Sequence, residues 1–305
     1  DIDAVGAFSV TALSGAIDDG AADANGADVN VAGVATFSAS GMIDLDDQWN
    51  DFGDQLNVDA QEFVLVAQGD VLLFDVDVDQ LAITAVGNVS DGETGSVLVA
   101  GNASFTGNAV TLGDNAGNLA RFGSLTFNAS GVVDISEDGS MNVAGSSTAG
   151  AGLDLVSTDD VTLDASVTVV GDTSILAGTA VGGITVNAKL NGSGTILLDA
   201  ADEITISAAI DPTTVTLNAD DDITVTAAVV ASELITVSAG EDGSGSFILG
   251  AAGSLETTDS GSDITVTTGS TSGDITLAGT TTALDLVTMT TASGSINGSG
   301  LVTSD

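Results

Sequence analysis

One five-residue phrase recurs along this chain, and that repetition constrains its fold more than any single residue. Asp159-Asp160-Val161-Thr162-Leu163, Asp202-Glu203-Ile204-Thr205-Ile206, Asp221-Asp222-Ile223-Thr224-Val225, Ser262-Asp263-Ile264-Thr265-Val266 and Gly273-Asp274-Ile275-Thr276-Leu277 are versions of one strand. Taking the first apolar residue of each unit as anchor, one track runs Ile184, Ile204, Ile223, Ile264 and Leu284. A second runs Ile196, Val215, Ile235, Leu255 and Ile275. Two interleaved tracks on a period near 20 residues describe a chain that returns to stack on itself, which is the signature of a solenoid.

Within each copy the apolar residues alternate with hydroxyls, as in Ile204-Thr205-Ile206-Ser207 and Ile223-Thr224-Val225-Thr226. A period of two puts the aliphatics on one face of a strand and the hydroxyls on the other. Gly, Asp and Asn gather between these strands, at Asn191–Gly194, Asn218–Asp222 and Gly240–Gly243, where turns need residues tolerant of unusual backbone angles. Helix formers are scarce, and only 3% of the residues are aromatic, too few to anchor an ordinary globular core of this length. Ladders of Val, Ile, Leu and Ala need no such anchors. The expectation is an all-β protein: a right-handed parallel β-helix (β-solenoid) of about fifteen coils of about 20 residues, each coil rising about 4.8 Å. Residues 1–305 read as one continuous solenoid, less regular over 1–150 and built of regular 19–20-residue coils over 151–305. In the first part a longer recurrence is superimposed. Phe37–Leu45 returns as Phe127–Ile135, offset by 90, and Val31–Phe37 returns as Val99–Phe105, offset by 68. Both ends fall in mid-pattern, so the terminal coils are expected to be uncapped.

Charge restricts the partners. There are 44 acidic residues against Arg121 and Lys189, a formal net charge of −42. Such a surface repels nucleic acid, which is bound through Lys and Arg, and it disfavours anionic membranes and acidic polysaccharides. No apolar run is long enough for a transmembrane helix. Divalent cations are the natural small partners. The absence of His and Cys excludes Ser–His and Cys–His nucleophile systems, and close acid pairs among so many carboxylates carry little information about acid–base catalysis. The expectation is therefore a protein that is not an enzyme and requires no cofactor.

The sharpest local feature is Phe74-Asp75-Val76-Asp77-Val78-Asp79, whose three carboxylates alternate and so share one strand face. Hard cations such as Ca²⁺ take several carboxylate and carbonyl oxygens, so Asp75, Asp77 and Asp79 are candidate Ca²⁺ ligands, set against a plain solvated face. Asp220, Asp221 and Asp222 at a turn form a second candidate, with Asp44, Asp46 and Asp47 a similar group. Neither an EF-hand loop nor the glycine-rich calcium nonapeptide is present.

The stretch Val99–Leu112, with Phe122–Gly131 and Ile135–Asp138, resembles the repeats of filamentous-haemagglutinin-like β-solenoid adhesins, very large bacterial surface proteins, in a form similar to that of planctomycetes. That resemblance implies an extracellular or cell-surface location and a structural role as fibre, filament or adhesin stalk. Apart from the resemblance, uncapped ends lead to an expectation of self-association end to end, and the flat hydroxyl faces to lateral contacts between copies, with a surface or glycan as target. A calcium-dependent adhesive module is the alternative. A polysaccharide-acting β-helix enzyme and an ice-binding solenoid, the latter suggested by the Thr-x-Thr rows, stand behind it.

Overall fold

The structure is a computed structural model and describes residues 2–20, 29–178, 180–269 and 271–304. Among them there is no helix. Parallel strands stack as a β-solenoid of about 13 turns, with roughly 21 residues per coil. The chain divides into two compact units, Asp1–Ala144 with Thr148–Gly150, and Gly145–Ser147 with Ala151–Asp305.

In the second unit each coil carries three short strands, and each strand lies in register on its counterpart one coil away. The result is three inward columns. One runs Leu153, Thr173, Ile196, Val215, Ile235, Ile264, Val287. The next runs Val161, Ile184, Ile204, Ile223, Phe247, Ile275, Ile296. The third runs Val167, Leu190, Ile210, Val229, Leu255, Thr281, Val302. Most of these side chains are fully buried, and the outward residues between them are mainly half-exposed hydroxyls and amides, with acids and aliphatics such as Asp211, Glu256, Leu197 and Ile248 among them. Because the side-chain period is two, a slip of one residue would turn a whole column outward, so burial fixes the register.

Equal spacing in the sequence misassigns these columns beyond Ile235. Ile264 stacks on Ile235, not on the Ile223 column, while Leu255 joins the third column and Ile275 the second. Leu284 lies in a bend between strands. The cause is local lengthening of the coils. A turn with positive φ at Gly240 (75°) and Gly243 (121°) extends the step from Ile223 to Phe247. A further excursion through Gly261 (φ 82°) separates Ile235 from Ile264. A constant 20-residue step therefore walks from one column to the next. Such excursions also explain why the coils number about 13 rather than fifteen.

The first unit wraps its core differently. Strands Met42–Phe52, Gln55–Ala67, Val71–Ala85, Val89–Gly107 and Leu119–Ala129 run on around the corners, bent at register shifts such as Leu45/Asn50, Val78/Leu81 and Phe122/Ser124. Its columns include Phe37, Val58, Val76, Val97, Ala120 and, beside it, Leu45, Leu65, Ile83, Phe105, Phe127. Phe37 and Phe127, alike in their sequence surroundings, thus occupy different columns, though both are buried.

Candidate functional site: the acidic corners and outer faces

Asp75, Asp77 and Asp79 lie on Val71–Ala85 with their side chains exposed, while Val76 and Val78 between them are buried. Alternation therefore places all three on the outer face. Coil stacking adds what the sequence pattern did not show: Asp77 is the register partner of Asp59, one coil earlier, and Asp75 that of Ser96, one coil later. Asp59, Asp75 and Asp77 line a shallow concavity of ≈ 470 Å³ with Thr36, Ser38, Asn57 and Ser96, whereas Asp79 stands outside it. Two like charges on adjacent rungs repel, and the open, hydrated setting keeps that repulsion small.

The second candidate is a corner of the second unit. Asp222 is committed there: its Oδ1 accepts the backbone N–H of Ser246 at 2.7 Å. The same device recurs at five other corners. Asp70 accepts from Asn88 N–H (2.7 Å), Asp160 from Gly183 (2.9 Å), Asp172 from Thr195 (2.8 Å), Asp263 from Leu286 (3.2 Å) and Asp274 from Ser295 (2.7 Å). At a corner the backbone ladder is interrupted, and a short carboxylate reaches the donor that the next coil would otherwise leave unpaired. Many of the acids are thus built into the coil-to-coil hydrogen bonding.

Asp221 is not used this way. Desolvation at the crowded corner, followed by the charges of Asp202, Asp222 and Asp242, raises its pKa, and it shares a hydrogen bond with Asp202. Desolvation and then Asp220 raise Asp199, while desolvation and then Asp199 and Asp220 raise Glu241. Asp220, Asp221 and Asp222 therefore belong to a wider acidic group spanning successive coils.

The third group has a structural occupation. Asn50 is fully buried. Its Nδ2 donates to Asp19 Oδ2 (2.8 Å), Leu45 O (3.0 Å) and Asp47 O (2.9 Å), and its Oδ1 accepts from Val29 N–H (3.1 Å). Buried Asp47 accepts from Trp49 N–H at 3.1 Å, closing the bulge that follows Leu45. Burial raises Asp19 and Asp44 above the usual carboxylate range, with neighbouring acids adding to the effect. Among the described residues no three carboxylates draw together into a group that could hold a metal ion.

Two acids that the sequence pattern does not single out are the most deeply buried with a shifted titration. Burial lifts Asp91 to about 6 and Glu137 to about 7. No sequence signal distinguishes them from the other carboxylates, because their burial depends on a local change of coil path.

A broad uncharged face lies on the outer side of the strands Thr214–Ala219, Leu234–Ala239, Asp263–Thr268 and Val287–Thr291. Thr216, Thr236, Thr265 and Thr288 form one column, and Asn218, Ser238, Thr267 and Thr290 the next.

No family model, curated protein or solved structure matches the chain. The resemblance to filamentous-haemagglutinin-like adhesins rests on the repeat residues themselves.

Proposed function

We propose that this chain is an extracellular structural β-solenoid, part of a fibre, filament or adhesin stalk of a bacterial cell surface, and that it is not catalytic. The observation that carries this reading is the in-register stacking of like residues through successive coils. Each coil satisfies its neighbour's backbone donors and acceptors and extends the same apolar columns, so length is gained by repetition. Stacking of one copy's coils on another's would extend the same columns end to end. The uncharged Thr/Ser/Asn face offers a lateral contact between copies, since each hydroxyl both donates and accepts and an identical copy repeats at the same interval.

Electron microscopy of the purified chain with and without a calcium chelator tests the reading. Uniform filaments that survive chelation support self-assembly by coil stacking. Monodisperse short particles in both conditions, at all protein concentrations, would sink it.

The second reading is a calcium-dependent adhesive module, in which bound ions would offset the mutual repulsion of Asp199, Asp202, Asp220, Asp221, Asp222 and Glu241. It requires saturable Ca²⁺ binding by calorimetry that Asp221→Asn weakens. Heats no larger than those of dilution would exclude it.

A further inference from the structure

The buried acids Asp91 and Glu137 grip the two ends of one short excursion in the first unit. The strand Val110–Leu112 is followed by Gly113–Asn118, which leaves the coil before Leu119–Ala129 begins. From the coil before, Asp91 Oδ2 accepts the N–H of Gly113 at 2.8 Å. From the coil after, Glu137 Oε1 accepts the N–H of Phe122 at 2.8 Å.

The second bond stands where a strand is missing. Leu119–Phe122 pairs with Ser96–Val99 on one side. On the other side the following coil takes a shorter path and meets this strand from Leu125 onward, at Leu125 opposite Val143 and at Asn128–Ala129 opposite Thr148–Ala149, leaving Leu119–Phe122 without a strand there. Asp138 N–H, donating to Ala120 O at 2.9 Å, and the Glu137 carboxyl close the gap. Asn118, itself buried, donates to Gly92 O at 3.3 Å and holds the excursion to the coil before.

One oxygen of each acid, Asp91 Oδ1 and Glu137 Oε2, is buried without a hydrogen-bond partner; at Asp91 the Asn118 side chain and the residue's own backbone N–H offset the cost of burial in part. The two acids are 8% and 4% exposed. A neutral carboxyl tolerates this arrangement, since its carbonyl oxygen still accepts the amide. An ionised one places a charge and an unpaired acceptor in a dry site. The charged groups around them add to the effect. Asp114 faces Asp91, and Asp138 faces Glu137; Arg121 opposes the second effect only in part. The cheapest way to hydrate both acids is to lift the segment between them, whose Asp114, Ala116, Gly117, Leu119 and Arg121 are already exposed.

We propose that Asp91 and Glu137 form a pH-sensitive latch on the segment Gly113–Phe122, closed while both carboxyls are protonated and released when they ionise. Release would uncover Ala120 and Phe122, whose ring packs edge-on against Phe105 at 5.7 Å, and would open the apolar interior at that corner. The latch belongs to the fold of the first unit and holds whether or not the chain assembles into filaments.

Amide hydrogen exchange tests it, corrected for the pH dependence of the intrinsic rate. Peptides covering 113–122 are compared with reference peptides covering 196–200 in the second unit. In the wild-type chain, protection of 113–122 is expected to fall at least about tenfold between pH 5 and pH 8, tenfold being the effect of one unit of pKa shift, with a smaller change in the reference. Constant protection of 113–122, or an equal loss in the reference, overturns the proposal from the wild-type chain alone. The Asp91→Asn/Glu137→Gln variant keeps both acceptor oxygens without the charge. It is expected to retain at pH 8 the protection that the wild type shows at pH 5. A variant that loses protection as the wild type does overturns the proposal. Should the double variant not fold, Glu137→Gln alone, which removes one of the two charges, is expected to lose less protection at Phe122 between pH 5 and pH 8 than the wild type, and a loss equal to the wild type's overturns the proposal equally.

Discussion

The carboxylate of Asp222 accepts the backbone N–H of Ser246, one coil further along, at 2.7 Å, where the turn interrupts the backbone ladder. Its charge is therefore secondary to its acceptor, and the two can be separated by substitution. Asp222→Ala is expected to destabilise the second unit by about 1 kcal/mol, the usual net value of such a bond. Asp222→Asn, which keeps an oxygen while removing one of many like charges, should match or exceed the wild type. Urea unfolding midpoints decide between them, and equal losses in both variants would refute the capping role.

Stability should fall as pH rises from 5 to 8. Asp91 and Glu137 are raised in the folded chain from 3.8 to about 6 and from 4.5 to about 7. The folded state thus holds protons that the unfolded chain gives up. Their contribution is fully present below about pH 4 and is lost as pH climbs through 6 and 7. Asp19, Asp44, Asp199, Asp221 and Glu241 are raised too and act in the same direction. With no histidine in the chain, nothing of the opposite sense titrates in this window through a side-chain imidazole. Thermal melts across the range check this, and a melting temperature that rises toward pH 8 would contradict it.

Raising NaCl from about 10 mM to about 500 mM should increase the melting temperature at pH 8. The Debye length shortens from about 30 Å to a few Å over that range, which weakens repulsion among the acids of a chain of net charge −42. At pH 4 the same addition should do much less. A salt response independent of pH would argue against self-repulsion as the cause.

Ile235→Ala removes a fully buried side chain from the middle of a column, between Val215 and Ile264. A loss of about 2–5 kcal/mol is expected from chemical denaturation, as for other large-to-small core changes. Leu284→Ala, at a bend outside the columns, should cost under about 1 kcal/mol. Comparable losses at both positions would contradict the observed register.

Gly113 adopts φ +69°, and a Cβ there would run into the backbone carbonyl of Ser136. Gly113→Ala should therefore destabilise the first unit by more than about 1 kcal/mol, whereas Gly139→Ala, in open space despite its φ of 152°, should cost less. Differential scanning calorimetry of the two variants tests the ordering.

The alternation in Ile204-Thr205-Ile206 and its copies was enough to determine the strands, their inward faces and a solenoid, because a period of two near a period of 20 has few other physical solutions. It was also enough to place Asp75, Asp77 and Asp79 on one outer face, since alternation alone decides that. What stacks on what is a separate question, decided by how many residues each corner absorbs. Ile264 meets Ile235 because the corners before it lengthen, and Asp77 meets Asp59 because a neighbouring coil shortens. Burial of a carboxylate follows the same rule. Asp91 and Glu137 resemble the chain's other acids in sequence, and only the coil path between Gly113 and Phe122, whose two ends they hold, places them inside. Local alternation fixes which way a side chain points; only the closed coil fixes its neighbour, and from neighbours come the hydrogen bonds, the charge repulsion and the shifted titrations.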